Sequence, residues 1–265
     1  MSALDPAGRW QGAVTSRALP SSEEEIASLS PALRASLGRI WWMQAATEAR
    51  VAHSFQLVHA SLAKLGASEA LVQLAHRAID DEHRHASLCE ELTERYVGKT
   101  LGPYVKLPDA HPLHALAKSD EERAALYVVG QCALNETFAS AYLTAAREEC
   151  TSPLGRAALR ELLADEIDHA RVGWAYLMSA SPALRASLSD WILPLTVCNL
   201  REWKLVASQS EDHSTSELAA HGVPRAEAIR EALHEAVSGV LLPGFAHVGL
   251  DTRAMERWAT AGMAT

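Results

Sequence analysis

The segments Asp81-Glu82-His83-Arg84-His85 and Asp165-Glu166-Ile167-Asp168-His169 carry one pattern, Asp-Glu-x-x-His, twice in the same chain. Glu and His at i and i+3 share one face of an α-helix about one turn apart, so each segment can present both to a single partner. Alone the pattern is weak, because Glu231-Ala232-Leu233-His234 also fits Glu-x-x-His. Its setting supplies the constraint. Apolar residues around both segments recur at three and four, the helical period. Alternating Val/Ile/Thr/Tyr runs bounded by Asn-Gly or Asp-Gly turns are absent. The chain is expected to be all-α.

Punctuation divides it into long helices. Ser30-Pro31 places a capping hydroxyl before a proline at the first helical position. A helix then runs through Trp41, Trp42 and Glu48 to about Leu65, where Gly66 can end it. Ser68 starts the second, which runs to about Tyr96 and stops at Gly98. Residues 97–118 hold Gly98, Gly102, Pro103, Pro108 and Pro112, which predicts a long irregular connection. Ser119 to Glu122 reads as a capping box opening the third helix, to about Glu149. Thr151-Ser152-Pro153 starts the fourth, ending near Ser179.

Further on, Ser181-Pro182 opens a fifth helix kinked or broken at Pro194, Pro224 opens a sixth, and Asp251 caps a short last one. The octapeptide Ser-Pro-Ala-Leu-Arg-Ala-Ser-Leu, at 30–37 and 181–188, marks two similar helix starts and no repeat architecture. The expected organisation is a single domain over 1–265, with a core at 38–179 and a C-terminal helical extension at 181–265. Two hairpins joined by one long crossover form the connectivity of a four-helix bundle.

Register then brings more acids to each motif. In an antiparallel hairpin, residues equally far from the turn lie at the same height. Glu48 is 18 residues before Gly66 and Glu82 is 16 after it; Glu136 is 15 before Thr151 and Glu166 is 15 after it. At about 1.5 Å per residue, both pairs match within about one turn. Four carboxylates and two imidazoles therefore converge near the middle of one bundle. Unneutralised, four ionised carboxylates there would repel and would be costly to desolvate. Two divalent cations would balance them, and oxygen-rich ligands with two imidazoles suit iron or manganese. Glu202 and Glu231 show a similar spacing, but their motif lacks the preceding Asp and a second hairpin to face, so it is set aside.

The Glu plus Asp-Glu-x-x-His set, used twice, resembles the ferritin-like di-iron and di-manganese carboxylate superfamily over about 38–179. Glu48, Glu82, His85, Glu136, Glu166 and His169 match its six-ligand motif one for one. The resemblance implies that Glu82 and Glu166 bridge two metals, while Glu48 with His85 and Glu136 with His169 complete one metal each. It implies that Asp81 and Asp165 accept hydrogen bonds from the metal-bound histidines. The implied cofactors are two iron ions, or one iron and one manganese, per chain.

Within the superfamily, the extra C-terminal residues argue against a bare cage-forming storage subunit. The absence of Cys-x-x-Cys argues against a rubrerythrin-like peroxidase with its own electron-transfer domain. Bacterial tRNA hydroxylases share the ligand set, but a net charge of −9 offers no broad basic surface for a phosphate backbone, so no nucleic-acid partner is expected. The repeat looks most like di-iron oxygenases of small molecules, including arylamine N-oxygenases. Those carry an additional histidine on the fourth helix, and the position one turn before Glu166 is Leu162. The expected function is a non-haem di-iron (or iron/manganese) oxygenase or oxidase that uses dioxygen on a small-molecule substrate, with an external electron donor. The alternatives are a ferroxidase that handles iron without an organic substrate and, third, a helical interaction module.

Small residues near the ligands, namely Ala52, Cys132, Ala139, Ser140 and Gly173, are the candidate pocket, although close helix packing selects the same residues. Trp174, Tyr176, Phe138 and Phe55 are candidate walls or simple core, and His53, His59, His76 and His83 are expected to face solvent. The C-terminal helices are expected to cap the bundle or to form a homodimer interface. Residues 1–20 show no basic start before an apolar run, and no stretch approaches about 18 apolar residues, so neither a signal segment nor a membrane span is expected. Cys89, Cys132, Cys150 and Cys198 lie far apart, which fits reduced cysteines and a cytoplasmic location.

Overall fold

The computed structural model describes residues 18–99, 101–104, 114–211 and 215–263, and no strand occurs among them. Four long helical stretches carry the motifs. These are α2 (Pro31–Lys64), α3 (Glu69–Val97), the run α4 (Asp120–Val128) through α5 (Glu136–Glu149), and α6 (Pro153–Ser179). A short α1 (Glu23–Ser28) precedes them, a helix whose three opening glutamates suit the positive end of the helix dipole. The capping signals work as chemistry dictates. Ser30 Oγ and Ser181 Oγ accept from the backbone N–H groups of Leu33 and Leu184, both at 3.2 Å, so the octapeptide copies start two helices identically. Gly98 closes α3 in the left-handed region at φ +73°.

Three details depart from the sequence reading. First, the third helix is interrupted: between α4 and α5 the segment Val129–Asn135 is wound as a π-helix, one residue wider per turn. Second, the break expected at Pro194 comes earlier. Helix α7 (Pro182–Ser189) ends, and α8 (Ile192–Glu211) restarts with Pro194 in its first turn, where a missing N–H costs nothing. Third, the final helix α12 (Arg253–Thr260) follows Thr252, while Asp251 Oδ1 accepts from the Arg253 N–H at 3.1 Å. Ahead of it lie α9 (Ser216–Ala220), α10 (Ala226–Glu235), a second π-helical turn at Ala236–Leu241, and α11 (Leu242–His247). In the 97–118 connection Val97 still belongs to α3, and Pro108 and Pro112 fall outside the described residues. The Ser119–Glu122 box is half made. Ser119 Oγ accepts from the Glu122 N–H at 3.0 Å, while the Glu122 carboxylate accepts from the Lys118 N–H and from Ser187 on α7.

Short connections make α2 and α3, and likewise α5 and α6, antiparallel neighbours, and α3 packs on α6. Their apolar faces build two separate clusters. One contains Leu37, Trp41 and Ala45 of α2 with Leu88 and Leu92 of α3 and Leu159 and Leu162 of α6. The other contains Val51, Phe55, Ala78, Leu134, Phe138 and Val172, and residues of α8, α10 and α12 extend it. Glu48, Glu82 and Glu166 fall in sequence between the two sets on their helices, and Glu136 lies beside Phe138 at the edge of the second set on α5, so an acidic layer lies between two oily ones. No described helix is long and apolar enough to cross a membrane.

Candidate metal centre

All six expected ligands are buried: Glu48, Glu82, His85, Glu136, Glu166 and His169. They form two overlapping groups whose ligand atoms lie within 4.8 Å of one another, Glu48-Glu82-His85-Glu166 and Glu82-Glu136-Glu166-His169. Glu82 and Glu166 belong to both groups, and each remaining Glu–His pair belongs to one. The contacts repeat across α3 and α6. His85 Nδ1 lies 3.5 Å from Glu82 and 3.6 Å from Glu166, and His169 Nδ1 lies 3.0 Å from Glu82 and 3.3 Å from Glu166.

The outward nitrogens are held crosswise. His85 Nε2 bonds Asp165 Oδ2 of the other motif at 3.1 Å, and His169 Nε2 lies 3.5 Å from Asp81 Oδ2. A histidine that donates its Nε2 proton outward has its Nδ1 lone pair turned inward, which is what a metal ligand needs. Arg84 links the system, bonding Asp81 at 3.0 Å and also Asp165, so one guanidinium neutralises two facing carboxylates and ties α3 to α6.

Two glutamines complete the arrangement. Gln44 Nε2 donates to Glu48 Oε1, and Gln131 Nε2 donates to Glu136 Oε1, both at 2.5 Å. The first spans four residues and the second five. An α-helix would turn Gln131 about 140° away from Glu136; the π-helical turn restores the match. Each glutamine orients one carboxylate oxygen of its glutamate.

Both oxygens of Glu82 and Nδ1 of His85 are buried without hydrogen-bond partners among the described residues. Orphaned acceptors in a dry acidic pocket fit a cation, and the mixed carboxylate–imidazole donor set suits a transition metal. Without one, protons must do the neutralising. Burial, then repulsion from Glu82 and Glu166, pushes the Glu48 carboxyl well above the usual range, and burial with the same kind of repulsion raises Glu136. Desolvation also works to raise Glu82, yet His169 and His85 hold it down at about 2. Burial would lower His85, but the hydrogen bond to Asp165 and the charges of Glu82 and Glu166 raise it to about 10; His169 is raised likewise.

His85, raised to about 10, is protonated in the metal-free cluster at neutral pH, so metal must displace a proton there. Metal affinity is expected to rise as pH increases from 6.5 towards about 10, the span of the His85 shift. Calorimetry in buffers of different ionisation enthalpy should read proton release on metal uptake; uptake with no release would contradict this charge balance.

A cavity of about 140 Å³ opens beside the cluster, bordered by Glu48, Glu136 and Glu166 and walled by Tyr142 and by Trp203 and Val206 of α8. Trp203 Nε1 donates to Asn135 Oδ1 at 3.2 Å, and its ring lies 5.6 Å from that of Tyr142. Of the small residues expected to shape a pocket, Ala139 lines this cavity. Ser140 lines a broad groove on the far side between α5, α6 and α10. Ala52 and Cys132 are fully buried, and Gly173 marks a close helix crossing, since a Cβ there would lie 2.3 Å from the Ala133 nitrogen. Phe138 and Phe55 are fully buried core, with the Phe55 ring tilted against that of His169 at 5.0 Å; Trp174 lies against Phe245. His53 and His76 are exposed as expected, whereas His83 is buried, because its helix is enclosed on more than one side.

Sequence reasoning missed Gln44, Arg50, Gln131, Asn135 and Trp203, and set Glu202 aside. Gln44 at i−4 from Glu48 was findable; Gln131 needed the π-turn, and the α8 residues needed the tertiary fold. Glu202 borders the cavity while Glu231 lines the far groove, so their hairpin-like spacing brings nothing together. No protein-family model matches the chain, and no curated protein matches it.

Proposed function

We propose that the chain is a ferritin-like four-helix bundle whose Glu/His cluster holds two iron ions, or one iron and one manganese. Its activity is that of an oxygenase or oxidase using dioxygen on a small organic molecule, with electrons supplied from outside. One observation carries the reading: two four-ligand groups share Glu82 and Glu166 in a buried layer. Bound there, a redox-active pair would supply the electrons and Lewis acidity for activating dioxygen.

The chain's own residues do the rest. Asp165 and Asp81 orient His85 and His169, Gln44 and Gln131 orient the outer glutamates, and Arg84 offsets the acidic charge behind them. The two apolar clusters keep water from the layer. The cavity beside Glu48 and Glu136, walled by Tyr142 and Trp203, favours an organic substrate over iron handling alone, since hydrated iron has no use for aromatic walls.

Metal content per chain, measured by mass spectrometry on protein purified without a metal-chelating tag, tests the reading. About two metal ions per chain, mostly iron or iron with manganese, is the expected result. Near-zero metal that anaerobic iron loading cannot raise would overturn it. Continued iron uptake with assembly into a large shell would replace it with the storage reading.

A further inference from the structure

We propose that Arg50 anchors a carboxylate on the substrate, so that the molecule oxidised is a small carboxylic acid with an apolar body. The inference deepens the reading above and rests on it. The cavity beside the cluster adjoins a second, outer one of about 390 Å³, bordered by Trp191, Leu195 and Cys198. Arg50, Val51, Asn135 and Glu202 line both, so Arg50 stands at the neck between them.

Its guanidinium is unpaired. Arg50 Nε is buried with no hydrogen-bond partner, and among the described residues the group makes no ion pair. Arg84, Arg95, Arg171 and Arg225 each pair with a carboxylate, and Arg34, whose Nε is likewise buried without a partner, borders neither cavity. A half-buried cation left unpaired costs free energy that an anion would recover. The acids nearby do not serve. Glu48 and Glu136 have oxygens bonded to Gln44 and Gln131, and Glu202 is exposed and forms no ion pair with Arg50.

A guanidinium presents a planar fork of donors matched to a carboxylate, which is recognised by two parallel hydrogen bonds. With its acid group at the neck, a substrate's body lies against Tyr142 and Trp203 and points inward to Glu48 and Glu136. An apolar space of about 150 Å³ takes a benzene ring, so the inner cavity suits a body of about that size.

The probes are 3-phenylpropanoate and its uncharged amide, titrated into the metal-loaded full-length chain and followed by tryptophan fluorescence, since Trp203 and Trp191 line the cavities. The acid is expected to bind at least about tenfold more tightly than the amide, the size of one charge-assisted hydrogen bond. Arg50→Met should erase that preference and Arg50→Lys should keep part of it, with metal content unchanged in both. Equal binding of acid and amide by the unaltered chain, no binding of the acid in the millimolar range, or a preference that survives Arg50→Met as direct metal ligation would, each overturns the proposal. Metal content of the same samples separates the two failures. Acid selectivity without metal leaves the anchor standing and removes the di-metal reading; about two metals without selectivity does the reverse.

Discussion

In the proposed two-metal centre, Glu82→Gln is expected to strip the chain of both ions, whereas Glu48→Gln or Glu136→Gln should cost chiefly one. Glu82 belongs to both ligand groups, and each outer glutamate belongs to one. Loss of an outer-sphere hydrogen bond alone typically costs about 10- to 100-fold in metal affinity, so loss of a shared ligand should exceed about 100-fold. Oxygen consumption should fall with the metal. The fold should survive, because Gln is isosteric and His85 and His169 can shed the protons that the Glu82 charge helps them keep. Metal content by mass spectrometry beside far-ultraviolet circular dichroism reads both. Two ions retained by Glu82→Gln at unchanged affinity would refute the shared-ligand arrangement.

The second large effect belongs to a residue with no side chain. Gly173→Ala puts a methyl group 2.3 Å from the Ala133 nitrogen and 2.8 Å from its Cα, backbone that cannot rotate aside. An approach this close to backbone belongs at the upper end of the about 1–3 kcal/mol that overpacking costs, so about 2 kcal/mol remains after the roughly 0.5–1 kcal/mol that Ala gains over Gly inside a helix. For a chain of this size that is a fall in Tm of about 4–8 °C. Ala133 lies in the π-helical turn that aims Gln131 at Glu136, so metal affinity should fall with stability. Gly239→Ala is the control: the nearest atom to its Cβ would be Glu235 Cγ at 3.9 Å, and a neutral or slightly raised Tm is expected. Thermal scans of the two variants decide it, and a Gly173→Ala chain as stable as the original would contradict the close crossing.

Much of the layout was legible in the chain. Ser30, Gly98, Ser152 and Ser181 set helix ends by local hydrogen bonds and backbone conformation, which depend on neighbours a few residues away. The six-ligand cluster was legible too, because a short hairpin turns sequence distance into height, and equal distances from Gly66 and Thr151 become proximity.

What tertiary structure alone decided is everything that depends on the relative rotation and approach of separate helices. Asp81 and Asp165 each serve the other motif's histidine, a crossing that no local spacing encodes. The π-turn adds a residue to one helix and shifts Gln131 onto Glu136, where periodicity counted at 3.6 would send it elsewhere. Gly173 looked like room for a substrate and is instead contact, since an absent side chain can equally admit a ligand or a neighbouring backbone. The cavity wall came from α8, about 40 residues beyond the last ligand in sequence order at its far end, because the C-terminal helices fold back over the acidic layer. Local chemistry and helical period specify elements and, through short turns, their register; which faces meet, and what space remains between them, is fixed only when all the apolar faces are buried at once.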